Sequence, residues 1–159
     1  MSAIVTAMTN AIILRGPDDA GAWMESDSGI ALGHRRLSIL DLSPLGHQPM
    51  ASADGRFIIV FNGEVYNFQD LRAELEPNGH TWRGHSDTEA MLAAFRQWGV
   101  IEATKRFNGM FAFAVWDKQE RVLHLARDRM GEKPLYYGWV GETFVFASEL
   151  KAIRNYSGG

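Results

Sequence analysis

Apolar residues along this chain recur at helical spacing in some stretches and at strand spacing in others. From Ser2 to Leu14 they fall at Ile4, Met8, Ala11 and Ile12, which predicts a helix with Ser2 as its cap. Arg15-Gly16-Pro17-Asp18-Asp19 breaks it into a polar loop. Short strands are predicted at Ala22 to Glu25, Ile30 to Gly33 and Leu37 to Asp41, and Ser43 to Pro49 reads as loop. A strand over Arg56 to Phe61 carries the apolar run Phe57-Ile58-Ile59-Val60-Phe61 and stops at the turn signal Asn62-Gly63. A helix from Phe68 to Leu75 follows, ended by Pro77-Asn78-Gly79.

Ser86-Asp87-Thr88-Glu89 has the form of a capping box, with Ser86 as cap and Glu89 three residues on. The helix it opens carries Ala90, Met91, Ala94, Phe95 and Trp98 on one face and stops at Gly99. Strands then run over Met110 to Trp116 and Val122 to Ala126, joined by a turn at Asp117-Lys118-Gln119-Glu120. Two more, Leu135 to Val140 and Phe144 to Ala147, turn around Gly141. Hairpins flanking a helical pair predict an α+β fold, most simply two packed antiparallel sheets with helices outside.

At 159 residues the length prior is one domain, spanning residues 1–159. A hydrophobic fraction of 46% and a charged fraction of 22% are ordinary for a globular protein. The formal net charge of −3 gives no basic footprint for nucleic acid and no polybasic membrane patch. No apolar run approaches the ~20 residues of a membrane helix, and the N-terminus does not read as a signal peptide, so a cytoplasmic protein is expected. Zero cysteines exclude disulfides and thiolate metal ligands. The histidines at 34, 47, 80, 85 and 124 show no metal-ligand spacing, so no metal site is expected.

Three places carry candidate chemistry. Asn62-Gly63-Glu64 crowds a side-chain amide, a bare backbone N–H and a carboxylate onto a predicted strand end. It reads either as a hairpin turn or as an oxyanion hole, in which the amide and the glycine N–H stabilise a tetrahedral intermediate. His34-Arg35-Arg36 sets two guanidiniums at the start of a predicted strand; a guanidinium grips a carboxylate with two parallel hydrogen bonds, and an edge-strand arginine is the plainer reading. Asp87 is either a first-turn acid favoured by the helix dipole or a partner for an ammonium group. Arg36 and Asp87 together would clamp the two charges of an amino acid.

These segments resemble the glutaminase domain of glutamine-hydrolysing asparagine synthetases, which are class II glutamine amidotransferases of the N-terminal-nucleophile type. The likeness runs through Met8-Thr9-Asn10-Ala11-Ile12, Arg15 to Gly21, His34 to Asp41, Phe61 to Asn67, Ser86 to Glu89 and Gly109 to Ala114. It implies a four-layer αββα sandwich of two antiparallel sheets. It also implies hydrolysis of glutamine to glutamate and ammonia, with the ammonia used by a synthetase domain for ATP-dependent amidation of aspartate. By the same resemblance Arg36 takes the substrate's carboxylate, and Ile39 and Leu40 join the substrate-binding residues. Asn62 and Gly63 form the oxyanion hole, Glu64 meets the substrate's amide or amino end, and Asp87 pairs with its α-ammonium. No cofactor is implied for this domain; ATP and magnesium belong to the synthetase domain, which these residues do not include.

The chain departs from the family at one decisive point. Relatives open on Met-Cys-Gly-Ile or similar, and the freed cysteine is the nucleophile; here Met1-Ser2-Ala3-Ile4 stands in that place, only a few residues before Met8. Ser2 is the sole substitute nucleophile at hand, and its hydroxyl is far less nucleophilic at neutral pH than a thiol. The expectation is therefore a helix over Ser2 to Leu14, with the first, nucleophile-bearing strand missing or altered and little hydrolysis. The alternative expectation is a non-catalytic glutamine-binding or regulatory module, or a truncated fragment.

Overall fold

The computed structural model describes residues 1–38 and 43–156. In chain order its elements are α1 (Ser2–Ala11), β1 (Asp19–Glu25), β2 (Ile30–Arg36), β3 (Met50–Ala51), β4 (Phe57–Val65), α2 (Phe68–Leu75), α3 (Asp87–Trp98), α4 (Val100–Arg106), β5 (Gly109–Asp117), β6 (Val122–Arg127), β7 (Tyr136–Val140), β8 (Thr143–Ala147) and α5 (Leu150–Arg154). They gather into two compact units. Among the described residues, the first holds the N-terminal segment with α1, β1 and β2, the stretch His47–Pro49, and residues 134–156; the second holds Ser43–Gly46 and Met50–Lys133.

In the first unit β1 and β2 form an antiparallel hairpin, with Asp19 opposite Arg36 and Glu25 opposite Ile30. The turn passes through Gly29 at φ +67, a conformation glycine adopts at no steric cost. Helix α1 lies so close on β2 that a Cβ at Gly33 would sit 2.5 Å from the Thr9 methyl and 2.7 Å from Val5. A second hairpin, β7–β8, turns at Gly141, and α5 packs on β8 and α1.

Three expectations change here. Ser2 is not the cap of α1: the Met1 carbonyl accepts the Val5 N–H, so Met1 is the capping position and Ser2 is the first helical residue. The helix ends at Ala11 and a separate short turn covers Ile13–Arg15. Leu37 and Ser38 lie beyond the end of β2, where the Asp18 side chain takes the Ser38 N–H at 2.8 Å. The rest of the predicted Leu37 to Asp41 strand, with Ile39 and Leu40, falls outside the described residues. The described strands are all antiparallel, β1–β2 and β7–β8 each pairing within their own hairpin, in keeping with the expected α+β arrangement of antiparallel sheets.

The second unit is built on a four-stranded antiparallel sheet in the order β3-β4-β5-β6. One face of β4 and β5 presents Phe57, Ile59, Phe61, Val65, Phe111, Phe113 and Val115 to α2, α3 and α4. Phe95 of α3 sits at the centre, its ring 6.0, 5.8 and 5.5 Å from those of Phe57, Phe107 and Phe113. Ile58, Val60, Ala112, Ala114 and Trp116, on the other face, are buried too. A strand covered on both faces has no polar residue to alternate with, which is why the run from Phe57 to Phe61 is unbroken. Beside it, Arg56 donates to both oxygens of Asp117 at 2.9 and 2.7 Å and ties the start of β4 to the end of β5.

Candidate functional site

Strand β4 does not stop at Asn62-Gly63. It runs on to Val65, with Asn62 opposite Ala112, Gly63 opposite Phe111 and Glu64 opposite Met110, so the hairpin reading of this dipeptide is excluded. Gly63 makes the continuation possible. Its φ is +134, and a Cβ there would lie 2.0 Å from the Met110 carbonyl oxygen and 2.8 Å from the Phe111 Cα. No side chain fits.

The hydrogen-bond phase of the ladder decides where the Gly63 N–H points. Phe111 gives its N–H to the Asp128 carboxylate at 3.2 Å and accepts the Asp128 N–H at 2.8 Å, so both of its backbone groups face β6. Gly63–Phe111 is therefore a non-bonded pair, and the Gly63 N–H is turned away from β5. On that side β3 pairs only with Ile58 and Ile59, and no described strand lies alongside Gly63. The next N–H of the same phase, that of Val65, is taken by Asp87 Oδ2 at 2.9 Å. Beside Gly63 the Asn62 side-chain nitrogen Nδ2 is buried and has no hydrogen-bond partner. A buried donor without an acceptor costs roughly 1–3 kcal/mol.

Asp87 stands in the first turn of α3, whose cap is Ser86: its hydroxyl oxygen accepts the Glu89 N–H at 3.3 Å. The capping box is half formed. Glu89 does not return to Ser86 but accepts the Arg83 and Gly84 N–H groups at 2.5 and 3.0 Å. Asp87 uses one oxygen on Val65 and the other on the Thr88 N–H at 2.9 Å. Burial holds its carboxyl above the ordinary value; the N–H bonds from Val65 and Thr88 pull the other way, and the nearby Glu64 carboxylate adds to the rise. A cation placed here would relieve that burden.

The second unit thus brings Asn62, Gly63, Glu64 and Asp87 together at one end of β4. Arg36 and Ser2 belong to the first unit. Arg36 closes β2 instead of opening a strand, opposite Asp19, and its charge helps hold the Asp19 carboxyl low after the larger effect of the His47 hydrogen bond. Its neighbour Arg35 reaches back to α1, donating to the Thr9 carbonyl at 3.4 Å. Ser2 is exposed in the first turn of α1.

The segment after β6 is organised by Asp128. Its carboxylate accepts the N–H groups of Met130, Glu132 and Lys133 at 3.1, 3.0 and 3.1 Å besides that of Phe111, and these bonds, Glu132 foremost, outweigh burial and hold its pKa at about 2. Sequence reasoning gave Asp128 and Arg72 no part in the site. Arg72 is buried on α2, and its only signal is a cation four residues after Phe68 on a face that also carries Leu71 and Leu75.

The sequence matches the family model described as a glutamine amidotransferase domain over residues 1–158. It is 43% identical over 148 residues to asparagine synthetase [glutamine-hydrolyzing] 3 of Bacillus subtilis, covering 92% of this chain and 24% of that protein. It is 42% identical over 167 residues to putative asparagine synthetase [glutamine-hydrolyzing] 2 of Methanocaldococcus jannaschii, covering 94% of this chain and 31% of that protein. The solved glutamine phosphoribosylpyrophosphate amidotransferase of B. subtilis superposes with a TM-score of 0.67 at 25% identity, covering 78% of this chain and 28% of the other. The α+β arrangement of antiparallel sheets agrees with the sandwich of N-terminal-nucleophile amidotransferases. The chain spans 24–31% of the length of these relatives, and it belongs to the glutamine amidotransferase domain family.

Proposed function

We infer that this domain binds L-glutamine at the end of β4. The substrate's side-chain carbonyl is directed at Asn62 Nδ2 and the Gly63 N–H, and its α-ammonium at Asp87 with Glu64 close by. The observation that supports this most is the buried, unpartnered Asn62 Nδ2 beside a glycine N–H turned away from its sheet partner. Donors left open in advance are what an oxyanion site requires, since they need no rearrangement when charge develops on the substrate. For Arg36 the reading keeps the role the resemblance implies, a two-pronged grip on the α-carboxylate.

The family reaction releases ammonia from glutamine, and a synthetase domain or subunit using ATP and magnesium would consume it on the carboxylate of aspartate. None of the 159 residues is a cysteine. Ser2, an alcohol with no described base beside it, is a poor replacement for a thiolate. We therefore expect binding without appreciable turnover by these residues.

Calorimetric titration with L-glutamine, paired with an ammonia-release assay, tests this. Binding in the micromolar to millimolar range, weakened by Arg36→Ala and by Asp87→Asn, with ammonia at background, is the expected result. Turnover that disappears on Ser2→Ala would overturn the assignment of the chain as non-hydrolysing. No binding at all would overturn the site.

A further inference from the structure

Arg72 is 7% exposed, an unusual place for a guanidinium, and both of the carbonyls it bonds lie on the approach to Asp87. Its Nη2 donates to the Gly84 carbonyl at 2.8 Å and to the Ser86 carbonyl at 3.3 Å. The guanidinium lies 4.5 Å over the Trp82 ring and 5.7 Å from that of Phe68, and Glu89 Oε2 is 3.7 Å away. Its Nε is buried without a partner. A planar cation stacked on one ring and reaching two carbonyls fixes a direction, which a lysine ammonium on a flexible stem does not.

The Ser86 carbonyl belongs to the peptide unit that joins Ser86 to Asp87. Holding that plane sets the angle at which the Asp87 side chain leaves the start of α3. From there Asp87 Oδ2 spans to the Val65 N–H, two residues beyond Gly63. Glu89 pins the preceding Arg83 and Gly84 N–H groups from the α3 side, so segment 83–86 is gripped from both helices.

We propose that Arg72 is a positioning residue for ammonium recognition: by fixing the Ser86–Asp87 peptide against α2 it aims the Asp87 carboxylate at the end of β4. This rests on the reading of Asp87 as the partner of the glutamine α-ammonium. It adds that the selectivity of the site for an amino acid over its deaminated analogue is set from α2, by a side chain that does not touch the ligand.

The test uses the whole chain, two ligands and one backbone probe. The ligands are L-glutamine and 5-amino-5-oxopentanoate, which is glutamine without its α-ammonium. Asp87→Asn should weaken glutamine roughly tenfold, the worth of one charge-assisted hydrogen bond, and leave the analogue unchanged. Arg72→Lys, which keeps the charge, should weaken glutamine several-fold and spare the analogue. It should also raise hydrogen exchange at the Val65 amide relative to Val115 in the core of β5. Trp82→Leu, which leaves the guanidinium and removes the ring beneath it, should give the same pattern at smaller size.

Equal weakening of both ligands in Arg72→Lys, or a Val65 to Val115 exchange ratio unchanged from wild type, would overturn the proposal. If Asp87→Asn fails to distinguish the ligands, the ammonium reading is what fails, and the Val65 amide still decides whether Arg72 aims the carboxylate.

Discussion

Replacing Asn62 with leucine separates stability from binding. Leucine has nearly the shape of asparagine with no polar atoms, and it removes the buried, unpartnered Nδ2. An orphaned donor costs roughly 1–3 kcal/mol, and since Asn62 as a whole is only half-buried the lower part of that range applies, about 1–2 kcal/mol. For a chain of 159 residues each kcal/mol moves Tm by about 2–4 °C, so unliganded Asn62→Leu should melt roughly 2–8 °C above wild type. Glutamine binding should be lost in the same protein, because the donor aimed at its carbonyl is gone. Differential scanning calorimetry with and without glutamine reads both effects. Wild type should gain Tm on adding glutamine, and the variant should start higher and gain nothing. A variant that melts lower than wild type and still responds to glutamine would show that the Asn62 amide is part of the packing and not a poised donor.

Gly63→Ala should destabilise by at least ~3 kcal/mol in urea unfolding, since a φ of +134 and a contact of 2.0 Å with the Met110 carbonyl act together; a loss below 1 kcal/mol would refute the close approach. Asp87 titrates above its ordinary value of 3.8, so between that value and the raised one the folded state holds more protons than the unfolded, and stability falls as pH rises through the window. Asp87→Asn should flatten this limb in a pH series of urea unfolding, and an unchanged slope would contradict the burial of the carboxyl. Phe95→Ala should cost about 3–5 kcal/mol in the same assay, because the ring is 1% exposed and touches three others.

The sequence carried the elements whose period and punctuation agree. Helix α2 matches its predicted span, and α3 starts at its Ser86 cap and stops at Gly99 as expected. The hairpin partners β5 and β6 were marked by the polar turn between them. Other features were hidden because local signals conflict with tertiary ones. Asn-Gly is a turn dipeptide by propensity, yet pairing with β5 and the lack of a Cβ at Gly63 carry β4 through it. Gly99, read as a stop, is a joint from which α4 departs at once, and the Val100, Ala103 and Phe107 spacing behind it was the overlooked signal. The chemistry of Asn62, Gly63, Glu64 and Asp87 was visible as residue types. Their meeting at one end of β4 was not, because it depends on a hydrogen bond from Val65 to a side chain on another element.

The Asp128 carboxylate and backbone take both hydrogen-bonding groups of Phe111 and so fix which residues of β5 look toward β4. That turns a geometric detail into a question of odd and even. Every even-numbered residue of β5 bonds to β4, and every odd-numbered N–H at the end of β4 is offered outward. One residue inserted within β4 between Ile59 and Asn62, with the start of the strand held in its present pairing, would exchange the two sets from there on and turn the Gly63 N–H into the sheet without altering any residue of the site. Residues 118–121 lie between the strands, so a change of length there leaves the phase of β4 as it is. Within the strand it does not, and the tolerance of an insertion becomes a matter of counting modulo two.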